Sequence, residues 1–266
     1  MMDDFTTINH RFEDEIDIVP IADVHFGAIE HATREWEQFL LALKDKPNTY
    51  IVLVGDLINN GVRSSASPGN PFQQTHSPSE QKEIMTEYLK PIADRILCCV
   101  SGNHEARTAK ETDQQLCYDI MARLAIEDRY REYAAFMKVG IGTRQAQKHK
   151  AANAVYTICV THGSVGGRLT GGTVNRAEDF AVMVEGLNAL VVGHSHKGAV
   201  TRPRTLVFDA RNDRVTWQDR VIVSAESWMN YGGYALGKML RPAEIGHPQI
   251  MHLRRSKDFK RIEVTW

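Results

Sequence analysis

The chain has 266 residues, and 42% of them are hydrophobic, so it can bury a large core. The 32 Lys and Arg residues are balanced by 33 Asp and Glu residues, and a formal net charge of -1 excludes the broadly basic surface of a protein that coats duplex nucleic acid. The polar N-terminal segment, the lack of a stretch long enough to span a membrane and four cysteines without zinc or disulfide spacing predict a cytoplasmic protein that has no membrane partner.

Five apolar runs, each bounded by turn residues, recur along the chain. They occupy residues 16–27, 50–61, 95–105, 154–163 and 189–198. Their hydrophobicity is continuous instead of alternating, which is typical of strands covered on both faces. We therefore predict five buried strands.

Helical patterns alternate with these strands. Residues 30–46 carry large apolar side chains at steps of three and four. Residues 77–80 read as a capping box with proline at the first helical position, and they predict a helix that kinks or ends near Pro91. A second such box opens at Thr112, and Asn175 is predicted to cap a fourth helix.

The sequence changes character after residue 198, where shorter apolar runs are separated by charged turns and predict antiparallel strands and hairpins. Strands that alternate with helices, followed by β-rich sequence, predict one mixed α/β domain. Residues 61–79 are rich in Ser, Pro and Gly and predict a long loop, which in a compact domain is often a lid or a binding element.

Polar side chains that can bind metal follow the C-terminal end of each predicted strand. The last run reads VVGHSHKG, and because side chains alternate along a strand we expect His194 and His196 to point the same way. Small residues beside these positions let the backbone turn sharply and approach a bound species. The side chains that we expect at this one edge are Asp23, His25, Asp56, Asn103, His162, His194 and His196.

Such a cluster indicates bound ions, because burying each neutral polar group without a partner costs roughly 2–7 kcal/mol. A mixture of imidazole, carboxylate and amide oxygen suits Mn, Fe, Zn, Co or Ni better than Mg or Ca. Seven ligands exceed what one ion takes once water is included. We therefore predict two divalent ions, preferably Mn, that share a carboxylate and lie about 3.5–4 Å apart.

The predicted centre attracts anions. Two divalent ions, two aspartates and one bridging hydroxide leave a formal charge of about +1, since the neutral His and Asn ligands remove none. A phosphate ester can place one oxygen on each ion while the bridging hydroxide attacks the phosphorus in line. The sequence therefore predicts a metal-dependent phosphoric ester hydrolase.

The ordered blocks Asp-x-His, Gly-Asp, Gly-Asn-His-Glu, His-Gly and Gly-His-Ser-His, spread over roughly residues 18–200, resemble the calcineurin-like metallophosphoesterase superfamily. The resemblance implies a two-sheet β-sandwich flanked by helices, an α/β/β/α arrangement. It also implies a single domain over residues 1–266, with the motifs in about residues 16–200 and the β-rich residues 200–266 completing the second sheet.

The resemblance further implies a division of roles among the site residues. One ion is held by Asp23, His25, Asp56 and His196. The other ion is held by Asp56, Asn103, His162 and His194, so that Asp56 bridges the two. His104 is expected beside the leaving-group oxygen as a general acid or transition-state stabiliser, oriented by a carboxylate. Asp56 and His104 are thus the predicted catalytic residues.

The predicted substrate contacts are Asn103, His104, Arg107, Arg168 and His76. Three of them have a plain alternative. Arg107 also fits a surface arginine, Arg168 lies in a glycine-rich stretch that is either an anion-binding nest or a flexible connection, and His76 lies in a loop that needs no function.

The residues after the Gly-Asp block depart from one branch of the family. The chain reads Leu57-Ile58-Asn59-Asn60 where protein Ser/Thr phosphatases have an Asp-Arg-Gly signature, so a phosphoprotein substrate is disfavoured. We therefore favour a phosphodiesterase acting on nucleotides or nucleic acid, a nuclease in the latter case. The alternatives are a phosphomonoesterase and, ranked low, a catalytically silent binding subunit. A nucleotide-cofactor domain is disfavoured because neither GxGxxG nor GxxxxGK[ST] occurs.

Overall fold

The structure is a computed structural model that describes residues 5–63, 65, 72–142, 154–164, 169–255 and 262–266. Within these residues two mixed six-stranded sheets pack face to face, and helices cover their outer faces. This is the α/β/β/α arrangement that the family resemblance implies. No described helix has the length and apolar character needed to cross a membrane.

The first sheet has a parallel centre with an antiparallel pair at one edge. In spatial order its strands are β14 (Glu263–Thr265), β13 (Ile250–Leu253), β2 (Ile16–Ile21), β3 (Thr49–Leu53), β4 (Ile96–Val100) and β5 (Tyr130–Arg131). The strands β2 to β5 run parallel, so their C-terminal ends meet at one edge.

The second sheet mixes parallel and antiparallel neighbours. In spatial order its strands are β1 (Ile8–Phe12), β6 (Ala134–Ile141), β7 (Ala154–Thr161), β8 (Ala189–Val192), β12 (Val221–Ser224) and β9 (Ala199–Thr201). Its three central strands β7, β8 and β12 are parallel. A separate two-stranded hairpin consists of β10 (Arg204–Asp209) and β11 (Arg214–Asp219).

Six α-helices complete the described part of the fold: α1 (Thr33–Lys44), α2 (Pro78–Leu89), α3 (Glu105–Thr112), α4 (Leu116–Arg123), α5 (Thr170–Met183) and α6 (Gly233–Gly237). The layers are held by three apolar clusters. The cluster between the sheets includes Ile18, Val52 and Val191, all at most 1% exposed. Trp36 and Met85 pack on the outer face of the first sheet, and α5 covers the outer face of the second.

The five predicted strands are confirmed as β2, β3, β4, β7 and β8. The capping box of α2 is also confirmed: the Ser77 side chain accepts the Glu80 N–H, and the Glu80 carboxylate accepts the Ser77 N–H. The chain then tightens into a 3₁₀ turn over Lys90–Arg95, and Ile92 leaves the helical conformation one residue after Pro91.

Two predicted helix starts are wrong. Thr112 is the last residue of α3, where its hydroxyl donates to the Thr108 carbonyl, and the left-handed Asp113 ends that helix. Asn175 lies inside α5, which begins five residues earlier without a side-chain cap.

The residues after 200 were predicted to complete the second sheet. They instead add β12 to the second sheet and β13 and β14 to the first, and they form the separate hairpin. Two strands of the second sheet, β1 and β6, were not predicted. The centre of β1 is polar, and the apolar run of β6 is interrupted by Lys138 and Gly140.

Candidate metal centre

The predicted metal ligands gather where the two sheets meet at one edge of the sandwich. Each follows the C-terminal end of a strand, because parallel strands place the turns after them on one side. The order is Asp23 and His25 after β2, Asp56 after β3, Asn103 after β4, His162 after β7, and His194 and His196 after β8.

Most of these residues have a left-handed backbone, which residues with a side chain adopt rarely. The five are Asp23 (φ 51°), His25 (φ 47°), Asp56 (φ 51°), His194 (φ 67°) and His196 (φ 56°). Since β8 ends at Val192, alternation along a strand does not orient His194 and His196, and that expectation is wrong. Tight turns aim the two rings into different groups of donors, at a conformational cost that is typical of functional sites.

One group consists of Asp23, His25 and His196. The Oδ1 atom of Asp23 lies 3.3 Å from His196 Nε2 and 3.7 Å from His25 Nε2. The two ring nitrogens are 3.1 Å apart. The other carboxylate oxygen of Asp23 accepts the backbone N–H of His194 at 2.7 Å, so this aspartate also ties the first sheet to the second.

The other group consists of Asp56, His162 and His194, with Asn103 beside it. The Nε2 atom of His162 lies 3.1 Å from His194 Nδ1, 3.1 Å from Asn103 Oδ1 and 3.4 Å from Asp56 Oδ2. The Nδ1–H of His162 donates to the Val54 carbonyl at 2.7 Å. That bond directs Nε2 at the group, so Nε2 is the nitrogen that would bind a metal ion once it has lost its proton.

Asp56 lies between the two groups. Its Oδ2 atom is 3.4 Å from His162 Nε2 in one group and 3.8 Å from His25 Nε2 in the other. Its Oδ1 atom accepts the backbone N–H of His104 at 2.8 Å. This is the position that a bridging carboxylate requires.

The donor atoms fit divalent cations. Two pairs of imidazole nitrogens approach to 3.1 Å, a distance at which facing lone pairs repel unless a proton or a cation lies between them. Asp23 Oδ1 is buried and accepts no hydrogen bond of normal geometry, although a buried polar atom is costly without a partner. A cation at each group would satisfy these atoms.

Charges in the centre favour the same conclusion. Burial disfavours the ionised form of Asp23 and Asp56, but the imidazoles around them hold the pKa of both carboxyl groups below its ordinary range. The imidazole with the largest effect is His162 for Asp56 and His196 for Asp23. Burial opposes a charge on His162 as well, yet Asp56 raises the pKa of His162 to about 10. A proton on His162 thus balances the carboxylates, and a cation that binds here must displace it.

Two glycines allow the backbone to close around Asp56. A Cβ atom on Gly102 would lie 2.1 Å from Asp56 Oδ1, and one on Gly55, which has a φ of 83°, would lie 2.5 Å from the Gly102 nitrogen. Neither position has room for a side chain. The glycines of the Gly-Asp and Gly-Asn-His-Glu blocks are therefore a steric requirement of the site.

His104 lies beside the centre, with its Nε2 atom 3.9 Å from Asp56 Oδ2. Together with His25 and Asp56 it makes a third candidate group of donors, which overlaps the other two. Its Nδ1–H donates to the backbone carbonyl of Asn59 at 2.6 Å, so a carbonyl orients the ring where a carboxylate was expected. Burial, and after it the neighbouring His25, lowers the pKa of His104 to about 3. The ring is therefore neutral, with Nε2 facing the centre.

Glu105 holds the centre from behind, a role that the sequence reading did not assign. Its buried carboxylate accepts the backbone N–H groups of Asp56 (3.0 Å), Ile58 (3.2 Å) and Gly102 (3.0 Å). It thus joins the turns after β3 and β4. Burial, together with the nearby Asp56, raises the pKa of Glu105 to about 7. Glu105 is the glutamate of the Gly-Asn-His-Glu block, and a carboxylate directly after a buried strand was the sequence feature that could have indicated this role.

The other predicted substrate contacts have different surroundings. Arg107 donates from Nη1 to the Asn59 carbonyl (3.3 Å) and to Ser65 Oγ (3.4 Å), so it contacts the same carbonyl that orients His104. His76 stacks on Phe26 at a centroid distance of 5.5 Å and is not part of either group of donors. Arg168 lies outside the described residues, as does part of the loop predicted over residues 61–79.

Comparison with known proteins gives one family. Residues 16–198 match the family model described as calcineurin-like phosphoesterase. Among solved structures the chain is similar to the metallophosphoesterase from Sphaerobacter thermophilus, with 13% sequence identity, a TM-score of 0.37 and coverage of 91% of this chain and 89% of that chain. No curated protein matches the sequence.

Proposed function

The chain belongs to the calcineurin-like phosphoesterase family, and from this premise we propose that it is a phosphodiesterase that hydrolyses its substrate with two divalent metal ions. The observation that carries the proposal is the pair of donor groups joined by Asp56 at one edge of the sandwich. We assign Asp23, His25, Asp56 and His196 to one ion, and Asp56, Asn103, His162 and His194 to the other.

With two divalent ions held by these residues, the centre would provide an activated water nucleophile and would neutralise the charge that develops on the phosphorus centre. The side chains of the protein hold the geometry for this chemistry. Asp56 joins the two sites, and Glu105 fixes the turn that carries Asp56. The carbonyls of Val54 and Asn59 fix the rings of His162 and His104.

We propose that His104 acts on the leaving-group oxygen. Its Nδ1–H is anchored to Asn59, so Nε2 is the atom that faces a bound substrate. An anionic substrate next to the ring favours its protonated form, because an opposite charge nearby raises the pKa of an imidazole. In that form His104 donates the Nε2 proton to the departing alkoxide.

The charges around the centre support a diester over a monoester. A diester carries one negative charge and a bound monoester about two, whereas the loaded centre has a formal charge of about +1. Arg107 is engaged by Asn59 and Ser65. Asn60 is also committed to the fold, since its side chain donates to the His104 carbonyl and its backbone N–H to Gln81. Asn60 therefore offers no backbone N–H for a second negative charge, and the preference for a diester rests on the charge of the centre.

The donor set of imidazole, carboxylate and amide supports manganese as the native metal, with Fe, Zn, Ni and Co as the competing ions. We propose a nucleotide or nucleic acid as the substrate class and the cytoplasm as the location. All four cysteines, Cys98, Cys99, Cys117 and Cys159, are free and buried, which agrees with a reducing compartment.

The test measures hydrolysis of bis(p-nitrophenyl) phosphate and p-nitrophenyl phosphate by protein loaded with Mn²⁺, beside chelator-treated protein. We expect faster hydrolysis of the diester and uptake of two metal equivalents. Diester hydrolysis at background, with an active monoester reaction, would reverse the substrate order. Tight binding of a diester without turnover would instead indicate a silent binding subunit, and no stoichiometric metal uptake would refute the assignment of the centre.

A further inference from the structure

A cavity of about 390 Å³ lies beside the second group of donors. Asn103 and His162 line its inner end, together with the backbone of Gly193. It is bounded by α3 and the start of α4 on one side and by α5 on the other. Its volume falls within the roughly 300–1,000 Å³ that is usual for small-molecule sites.

The side walls of the cavity are apolar. Small alanines leave the space open, and larger side chains close its ends; the residues are Ala106, Ala109, Leu116, Ala177, Phe180 and Val192. Such walls gain free energy when they cover an apolar or aromatic group, and they offer nothing to a charged one. The cavity therefore suits an uncharged organic group.

Polar side chains surround the outer part of the cavity. Tyr133, Ser164 and Arg176 are exposed there, and Glu132 is half-buried. Arg176 donates from Nη1 to Ser164 Oγ at 2.7 Å. Glu105 also lines the cavity, but its carboxylate already accepts three backbone N–H groups. Glu132 and Arg176 therefore remain to offer an acceptor and donors to the edge of a heterocycle.

We propose that this cavity binds the nucleoside part of a small phosphodiester, a mononucleotide derivative, and not a stretch of polynucleotide. The inference rests on the proposed function, because the inner end of the cavity opens at the donors that we assign to metal. A polynucleotide needs a row of cations along its backbone, whereas Arg176 is the one cationic side chain among the described lining residues.

The first experiment measures binding without catalysis. Thymidine and adenosine are titrated by NMR into chelator-treated protein, into an Ala109→Phe variant that fills the cavity, and into a Thr112→Phe control. Thr112 lies on the same helix, is exposed and does not line the cavity. We expect nucleoside binding to the wild type and the control, and a loss of at least about tenfold in Ala109→Phe. No binding at millimolar nucleoside, or equal binding by all three proteins, would overturn the proposal.

The second experiment uses the Mn²⁺-loaded enzyme. For thymidine 5′-p-nitrophenyl phosphate we expect Ala109→Phe to raise KM by about tenfold, while hydrolysis of methyl p-nitrophenyl phosphate stays within about twofold of wild type. Parallel losses on both substrates would contradict a specificity pocket. Nucleoside binding by a protein that hydrolyses neither ester would support the cavity and refute the proposed function, so the two ideas fail separately.

A different observation concerns the β10–β11 hairpin, whose exposed face is apolar. Leu206 pairs with Trp217 and Phe208 pairs with Val215 across the two strands, so these four side chains share one face. They are 59%, 64%, 74% and 54% exposed, respectively. The hairpin is anchored at its base, where Gln218 donates to the Leu187 carbonyl and the Arg220 N–H to the Pro203 carbonyl.

The charges on this face are balanced. Arg204 and Asp219 form an ion pair at its open end, whereas the Arg214–Asp209 pair lies at the turn on the opposite face of the hairpin. A face that carries one arginine and one aspartate side by side can place each against its opposite charge on a second copy. It is not complementary to a polyanion, because each arginine already has an aspartate partner.

We infer that this hairpin face binds the same face of a second copy of the chain. The exposed parts of Phe208 and Trp217 alone amount to about 300 Å² per copy, given the usual area of aromatic side chains. With Leu206 and Val215 the buried total stays below about 1,200 Å², which is the size of weak interfaces. The dimer should therefore form with a Kd of about 10 μM or weaker.

Analytical ultracentrifugation from about 1 to 500 μM protein tests this inference. We expect the wild type to shift from monomer to dimer, a Phe208→Ser, Trp217→Ser double variant to stay monomeric, and a Phe72→Ser control to behave as wild type. Phe72 is an aromatic residue outside the hairpin that is even more exposed, at 90%. A wild type that is monomeric throughout, or a double variant that dimerises equally, would overturn the inference, as would tighter binding of the hairpin to an oligonucleotide than to itself.

Discussion

The metal-facing edge of the sandwich and the β10–β11 hairpin treat side-chain polarity in opposite ways. At the edge, Asp23, Asp56 and Glu105 are buried almost completely, although carboxylates are normally solvated. On the hairpin, Phe208 and Trp217 project into solvent, although large aromatic residues are normally covered. In both places the side chains are positioned against what packing alone would favour.

The difference lies in how each region offsets its unfavourable exposure or burial. The carboxylates at the edge accept backbone N–H groups from their own chain, so most of their compensation is built into the fold. The hairpin face has no covering group among the described residues, and its compensation must come from another molecule. Changes at the edge should therefore alter metal binding and chemistry, and changes on the hairpin should leave both intact.

The largest effect is expected for His194→Ala, which removes a half-buried donor from the second group. The variant should lose about one metal equivalent, and its diesterase activity should fall by at least about 10³, because a charge-stabilising element of the transition state disappears. Metal analysis and rate measurement on the same samples check this. His247→Ala is the control, since His247 is exposed and lies in neither group of donors. Two retained equivalents in His194→Ala would contradict the assignment.

A smaller effect is expected for His104→Ala, which separates chemistry from metal binding at the same edge. The variant should keep both metal equivalents and lose a factor of about 10²–10⁴ in kcat, the usual contribution of a general acid. The leaving group provides a second measurement: an ester with a more acidic leaving alcohol should lose less rate. Metal loss as large as that of His194→Ala would show that His104 is a ligand.

Glu105→Gln tests whether the buried carboxylate acts through the turn of Asp56. An amide cannot accept three N–H groups as a carboxylate does, so the Asp56 turn should loosen and metal affinity should fall by about 10–100-fold. A competition titration with a metal indicator measures this. Glu111→Gln, an exposed change near the end of the same helix, should have no effect, and an unchanged affinity in Glu105→Gln would leave its carboxylate with a purely structural role.

The smallest effect is expected on the hairpin, where Trp217→Ser should change the free energy of unfolding of the monomer by less than about 0.5 kcal/mol. Leu190→Ala, on the buried strand β8, should cost about 2–5 kcal/mol. Urea unfolding at low micromolar protein concentration compares them. A loss above about 1.5 kcal/mol for Trp217→Ser would mean that the aromatic face supports the fold of its own chain.

Much of the centre could be predicted from the sequence, because parallel strands bring their C-terminal turns together whatever path the connecting segments take. Asp23, Asp56, Asn103 and His162 needed only that rule. The left-handed backbone at His194 and His196 could not be predicted, because the sequence does not distinguish a histidine inside a strand from one in the turn after it. Glu105 was overlooked because its partners are backbone N–H groups, which carry no sequence signature.

The fold was predicted best where hydrophobic burial alone decides the element. Strands such as β3 and β4 are covered on both faces and are continuous in hydrophobicity. The helix starts were harder. The first turn of α5 contains Gly171 and Gly172, which oppose a helix locally, so packing of Ala177 and Ala181 against the second sheet must set where the helix forms. The sheet that each C-terminal strand joins depends on contacts far apart in the chain.

Each group of donors draws on both sheets and on distant parts of the polypeptide. Asp23 and His25 are separated from His196 by more than 170 residues, and Asp56 must meet His194 from the opposite layer. During synthesis neither group of donors is complete until the chain has emerged past residue 194 for one group or residue 196 for the other, and the two layers have docked. Metal acquisition should therefore be a late event in the maturation of this protein, and a truncated nascent chain should bind ions poorly however much of the first layer it has folded.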